Sequence, residues 1–212
     1  MSEPVRGLTV GFVPGVTLTK WRRTWADRHH HVPLLVEELT ESEQRTALDD
    51  GRVDMCFVRL PVASEGLHVI PLYDEVAVVV VPKDHPVSLF EQVSAADLSE
   101  ETVLEDVDSD DAFDLVAGGA GILYVPHSIA RSHSRRDLVY RPVTDRPPTT
   151  VGLAWLVDNP HELIEDFIGI VRGRTKNSSR TPVKAPEESK AKTRKKAPPP
   201  AANRRRTPRG RR

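Results

Sequence analysis

Arg59 closes the apolar run Val53–Val58, where a fixed guanidinium can clamp a carboxylate through two parallel hydrogen bonds. The same cation can instead pair internally with Asp54, Asp74 or Glu75. Thr17 follows the break Pro14-Gly15-Val16 and precedes a helical pattern, so its hydroxyl can contact an anion at a helix start or simply cap that helix. Thr40 and Ser42 stand before a second short helix in the same way. Pro126, His127 and Ser128 form another strand–turn–helix junction, and His127 can bond a ligand, sense pH or sit plainly on the surface. The run His29, His30, His31 suggests metal, but consecutive histidines do not share a helix face, and a helix C-terminus suits their partial charge. Adjacency of His127 and Ser128 is not triad geometry. No GxSxG, P-loop, CxxC or HExxH pattern occurs. These features point to ligand binding rather than catalysis, and no motif calls for a cofactor or a metal.

The elements that position these residues alternate. Leu8–Val13 reads as a buried strand of branched and aromatic residues, broken by Pro14 and Gly15; the following segment carries Leu18, Trp21 and Trp25 on one helical face. Pro33–Leu39 reads as a second strand, residues 42–51 as a short helix ending at Gly51, and Val53–Val58 as a third strand. Alternation of this kind predicts parallel pairing in a covered sheet, with ligands at the strand–helix junctions. Strands are then expected at 67–72, 75–81, 122–125, 139–143 and 151–157, short helices at 95–101, 111–117 and 128–133, and a last helix opened by Pro160. The acidic run from Glu100 to Asp111 lacks the alternating spacing of a calcium loop and reads as solvated.

The chain has 212 residues, 38% hydrophobic and 29% charged, and no apolar run long enough to span a bilayer. MSEPVRG has no signal-peptide character, and the cytoplasm is the expected location. Cys56, the single cysteine, sits in a buried strand and reads as a small core hydrophobe. The net charge of −1 hides a division. From Arg174 onward there are 15 Lys and Arg against Glu187 and Glu188, a charge of +13, which leaves −14 on residues 1–173. Residues 173–212 are rich in Lys, Arg, Pro and Ala and hold too little apolar surface to offset ordering entropy, so disorder is expected. The clusters Arg194-Lys195-Lys196, Arg204-Arg205-Arg206, Arg209 and Arg211-Arg212 can neutralise nucleic-acid phosphates without reading sequence; the alternative is a solubilising tail, or one that docks on the acidic body.

The ordered blocks resemble the effector-binding domain of LysR-type transcriptional regulators. They are LTVGFVPG, VEELTESEQ at 36–44, ALDDGRVDMCFVRLPV at 47–62, GLHVIPLYDEVAVVVVPKDHP at 66–86, AADLS at 95–99, VAGGAGILYVPHSIA at 116–130, LVYRPV at 138–143 and the strand around Trp155. The resemblance implies a periplasmic-binding-protein-like α/β fold over residues 7–172. Its first lobe would be about 7–82 with 150–172, its second about 83–149. It also implies an effector site in the cleft, carried onto Pro14, Gly15, Val16, Thr17, Thr40, Ser42, Arg59, Leu60, Pro126, His127 and Ser128. The family's N-terminal helix-turn-helix has no counterpart in these residues. The second lobe is short: where the family has strand, helix and strand, only ETVLEDVDSDDAFDL stands between AADLS and VAGGAGI. The expected function is a small-molecule-sensing regulatory module whose effector is a carboxylate, with loose DNA contact through the tail. The expected partners are a second copy or a full-length LysR-type regulator. A nucleoid-associated structural protein that has lost its ligand is the alternative.

Overall fold

The computed structural model describes residues 6–105 and 110–174. Two sheets organise them. The first has the order β2–β1–β3–β9–β4 and the second β6–β7–β5–β8.

In the first sheet, β1 (Leu8–Phe12) lies parallel to both β2 (Leu34–Glu38) and β3 (Met55–Arg59), with Val10 opposite Val36 on one side and Met55 on the other. The three strands expected side by side are therefore parallel neighbours. Beyond β3 the sheet changes direction: β9 (Thr149–Leu156) runs antiparallel to β3 and to β4 (Leu67–Glu75). β3 is buried along its whole length because both of its faces are covered. Its alternation divides the core. Met55 and Phe57 face α1 (Thr19–Arg28) and α5 (Ile164–Val171), packing with Trp25 and Phe167. Cys56 and Val58 face α2 (Gln44–Asp49), packing with Ala47 and Leu48. Trp21 stacks on Phe57 at 4.5 Å, and Phe167 meets Phe57 edge-on. Each fully buried aromatic of this kind contributes about 1.5–3 kcal/mol through burial alone.

The second sheet is built on β5 (Ala77–Pro82), which pairs antiparallel with β7 (Ile122–Pro126) and β8 (Leu138–Pro142). A two-residue β6 (Val103–Leu104) lies parallel to β7. Val78 and Val80 pack under α3 (Asp110–Ala117) and α4 (His127–Ser132). Val79 and Val81 face the 3-10 turns at 86–89 and 96–98.

Two expectations are corrected here. The valine run 77–82 belongs to the second sheet, so the crossover between lobes falls at Val76 rather than after residue 82. A strand buried on both faces has no polar side to show which sheet it joins. The segment after residue 99, read as a solvated acidic run, also supplies a two-residue strand, β6, ahead of the expected helix α3. The disordered-tail expectation and the cations Arg194, Lys195, Lys196, Arg204, Arg205, Arg206, Arg209, Arg211 and Arg212 lie outside the described residues.

Candidate functional site

The chain crosses between the sheets twice, at Val76 and through residues 143–148. A cleft of about 360 Å³ opens between them. From the first lobe, Phe12 at the end of β1, the turn Gly15-Val16-Thr17 and Glu38 at the end of β2 line it. From the second, Ser128, Arg131 and Ser132 of α4 face them. The cleft thus lies at the carboxyl ends of parallel strands, where open α/β sheets hold ligands.

Gly15 adopts φ +88°, and a Cβ built on it would lie 2.3 Å from Ser128 Oγ and 2.9 Å from Ser128 Cβ. Only glycine allows both this backbone conformation and this approach of the two lobes. Ser128 Oγ is buried there with no hydrogen-bond partner. Such a group normally finds one, so an orphaned hydroxyl in the wall of a cleft marks an unfilled polar position.

The sequence-predicted residues divide into two groups. Gly15, Val16, Thr17 and Ser128 line the cleft. Val16 does so while only 6% exposed, its side chain belonging to the core beneath α1. Thr17 is exposed but is not a cap: α1 starts at Thr19 after Leu18, with no side-chain capping bond. The other predicted residues stand outside the cleft lining. Pro14 uses its carbonyl to accept from Arg59 Nη2 at 3.1 Å. Leu60 packs against the α2-side core, and the Leu60–Pro61 peptide is cis. Pro126 precedes α4, and the His127 ring lies 5.2 Å from that of Tyr140.

Thr40 and Ser42 bond each other at 2.9 Å. Thr40 N–H donates to Glu43 Oε2 at 3.1 Å while Glu43 N–H donates to Thr40 Oγ1 at 3.3 Å, a reciprocal box that closes the turn leading into α2. These hydrogen bonds from the Thr40 backbone and hydroxyl hold the Glu43 carboxyl below its ordinary value. The donors expected to meet a ligand anion are thus met by the protein's own carboxylate.

Arg59 repeats that pattern. Its side chain is 4% exposed; Nη2 donates to Glu75 Oε2 at 3.0 Å, and Nη1 pairs with Glu41. Gln44 locks its backbone on both sides, donating to Arg59 O at 3.1 Å and accepting from Arg59 N at 2.9 Å. Nε alone has no partner. Arg59 is therefore a bracket tying Pro14, Glu41 and the end of β4 together, the internal-pairing outcome. Of the three carboxylates weighed for that pairing, Glu75 is engaged; Asp54 instead accepts from Arg6 and from Thr9 N–H, and Asp74 accepts from the Thr150 hydroxyl.

Sequence reasoning missed Phe12, Glu38, Arg131 and Ser132. Phe12 reads from the sequence only as part of a buried strand. Glu38 follows the apolar part of β2, and Arg131 follows Ser128 by three residues, one helical turn along the same face. That spacing was the available signal. His29 stacks on Trp25 and lies 3.7 Å from Asp166, and no metal-binding cluster of His, Cys, Asp or Glu occurs among the described residues. No helix among them is long and apolar enough to cross a membrane.

A model of the LysR substrate binding domain matches residues 2–114 and 107–176, two segments that overlap at 107–114. The Hca operon transcriptional activator HcaR of Escherichia coli (strain K12) is 25% identical over 205 residues, covering 80% of this chain and 68% of that protein. A probable hydrogen peroxide-inducible genes activator of Mycobacterium leprae is 33% identical over 91 residues, 41% of this chain and 29% of that one. The chain therefore spans at most about two thirds of these relatives, which are named as regulators of transcription and not as enzymes. The BenM effector binding domain with its effector benzoate has the same fold, with a TM-score of 0.68, 23% identity and coverage of 79% of this chain and 90% of that one. Matched over most of its length by the family's model, the chain belongs to the LysR substrate binding domain family.

Proposed function

We propose that this chain is the sensing module of a transcriptional regulator, taking up a small-molecule effector in the cleft between its sheets. The observation that carries the reading is the orphaned Ser128 Oγ facing Gly15 across that cleft. A cavity of about 360 Å³ is at the small end of the range for ligand sites, which fits a metabolite rather than a peptide. A bound ligand would hold α4 against the first junction and so fix the second lobe about its two crossovers.

Peroxide sensing through thiol chemistry, suggested by the name of the Mycobacterium leprae relative, is not favoured here. Cys56 is the single cysteine of the sequence, it is buried beneath α2, and burial pushes its thiol up to about 12. Benzoate, named with BenM, is an anion; a carboxylate effector in this chain would have to find a cation other than Arg59, which Glu41 and Glu75 already hold.

Contact with DNA falls to the cationic clusters between Arg194 and Arg212, and pairing with a second copy or with a full-length regulator would bring a sequence-reading domain. The test of this part is a random-duplex titration at two salt concentrations, using the full chain and a full-length variant with the nine cations at 194–212 changed to Gln. Binding that weakens steeply with salt and is lost in the variant supports tail contact. Unchanged binding in the variant removes it. DNA binding without any ligand-dependent stabilisation of the chain would favour the structural, nucleoid-associated reading.

A further inference from the structure

The cleft carries two charges that the fold leaves unused. Glu38 enters it from the end of β2 in the first lobe, and Arg131 enters from α4 in the second. Among the described residues neither makes a salt bridge, with the other or with any third group. Both side chains are exposed to solvent at the cleft. Two opposite charges on facing walls of one small cavity present a field with a direction rather than a sign. A purely anionic ligand placed against Arg131 meets the Glu38 carboxylate on the other wall. A purely cationic ligand meets the converse. A ligand carrying both charges is attracted at both ends. The unpartnered Ser128 Oγ lies one helical turn before Arg131, where a hydroxyl donor would add a second bond to a carboxylate held by that guanidinium. Phe12, half-buried at the end of β1, completes the lining on that side.

We infer that the effector is a small zwitterion of the α-amino acid type, its carboxylate on Arg131 and Ser128 and its ammonium on Glu38. This rests on the cleft being the effector site, and it adds the chemical class and the two residues that select it. Because the charges belong to different lobes, one ligand bridging them would also tie the two lobes together.

The experiment is a thermal-shift and calorimetric titration of the full chain with the common α-amino acids as probes. Each is compared with its deaminated acid and its decarboxylated amine; for phenylalanine these are 3-phenylpropionate and 2-phenylethylamine. The expected result is saturable stabilisation by at least one amino acid, with both truncated counterparts at least tenfold weaker. Arg131→Gln and Glu38→Gln should each weaken that amino acid at least tenfold, while their melting temperatures without ligand stay within a degree or two of the parent. Arg131→Gln should narrow the gap between the amino acid and its amine, and Glu38→Gln the gap between the amino acid and its acid. No stabilisation by any amino acid, or equal response to an acid lacking the ammonium, overturns the zwitterion. If such an acid, or an uncharged compound, still binds and is lost on Ser128→Leu, the cleft remains the effector site and only the ligand class is wrong.

Discussion

A Cβ on Gly15 would stand 2.3 Å from Ser128 Oγ, so the turn after β1 and the start of α4 touch across the cleft only because residue 15 has no side chain. The lobes meet at this point, and the cleft lies beside it.

Gly15→Ala should therefore act twice. The left-handed backbone at φ +88° costs an L-residue about 1–2 kcal/mol, and the added methyl must push α4 away. The expected outcome is a melting temperature lowered by several degrees together with a larger radius of gyration in solution scattering. A variant that melts like the parent and scatters identically would mean the lobes do not approach this closely.

Ser128→Ala removes the buried hydroxyl that has no partner. Without ligand it should leave the protein as stable as the parent or up to about 1–2 kcal/mol more stable, because a desolvated and unsatisfied group disappears. Stabilisation by the effector should shrink in the same variant. Denaturant melts with and without the effector measure both quantities.

Arg59 should behave as a structural residue. Replacing it with Met strands Glu75, 8% exposed, and releases Glu41 and the Pro14 carbonyl. A loss of about 3–5 kcal/mol in unfolding free energy is expected, the size seen when one partner of a buried pair is removed. Adding Glu75→Gln should recover part of it. Full stability in Arg59→Met, coupled to loss of ligand binding alone, would return Arg59 to the role of clamp.

The Cys56 thiol, raised to about 12 by burial, stays protonated at neutral pH. A thiol reagent added to the native protein should react at the rate of unfolding and not at that of an exposed cysteine, reaching one equivalent per chain in denaturant. Fast native reaction would reopen a redox role.

Acid should loosen both lobes through two matching turns. Hydrogen bonds from Thr40 hold Glu43 below its ordinary value, and those from Ser94 do the same for Asp97. A carboxyl whose folded value is depressed binds its proton more readily in the unfolded chain. Its contribution is complete above the ordinary carboxylate range, near pH 4, and is lost as pH falls through the lower folded value. Melting temperature should be insensitive to these two groups above about pH 5.5 and fall below about pH 4. The double variant Thr40→Ala, Ser94→Ala should show a shallower fall.

The parallel trio of β1, β2 and β3 was legible because each strand is a compact apolar run and helix-period patterns separate β1 from β2 and β2 from β3, and such short crossovers leave parallel pairing as the natural arrangement. The assignment of β5 was not, since Val78–Val81 is apolar on both faces and pairing partners more than 40 residues away decide its sheet. The site was half legible. Gly15 and Ser128 announce themselves at junctions, one by its backbone freedom and one by its place after Pro126. Glu38 and Arg131 do not, because a charged residue at the end of an element reads as solvated until the facing lobe is in place. Arg59 and Thr40 misled for a related reason. A donor at a junction looks available for a ligand until the fold brings its own carboxylate, Glu41 or Glu43, to meet it.

The effector cleft is tested most directly by a melting-temperature screen of mixed small metabolites, run in parallel on the parent chain and on Ser128→Leu, whose bulkier side chain would crowd the junction with Gly15 and intrude on the cleft. The expected result is at least one compound that stabilises the parent in a saturable manner and leaves the variant, still cooperatively folded, unmoved. Compounds that stabilise both proteins equally, or a broad library that stabilises neither, would contradict an effector site between the lobes.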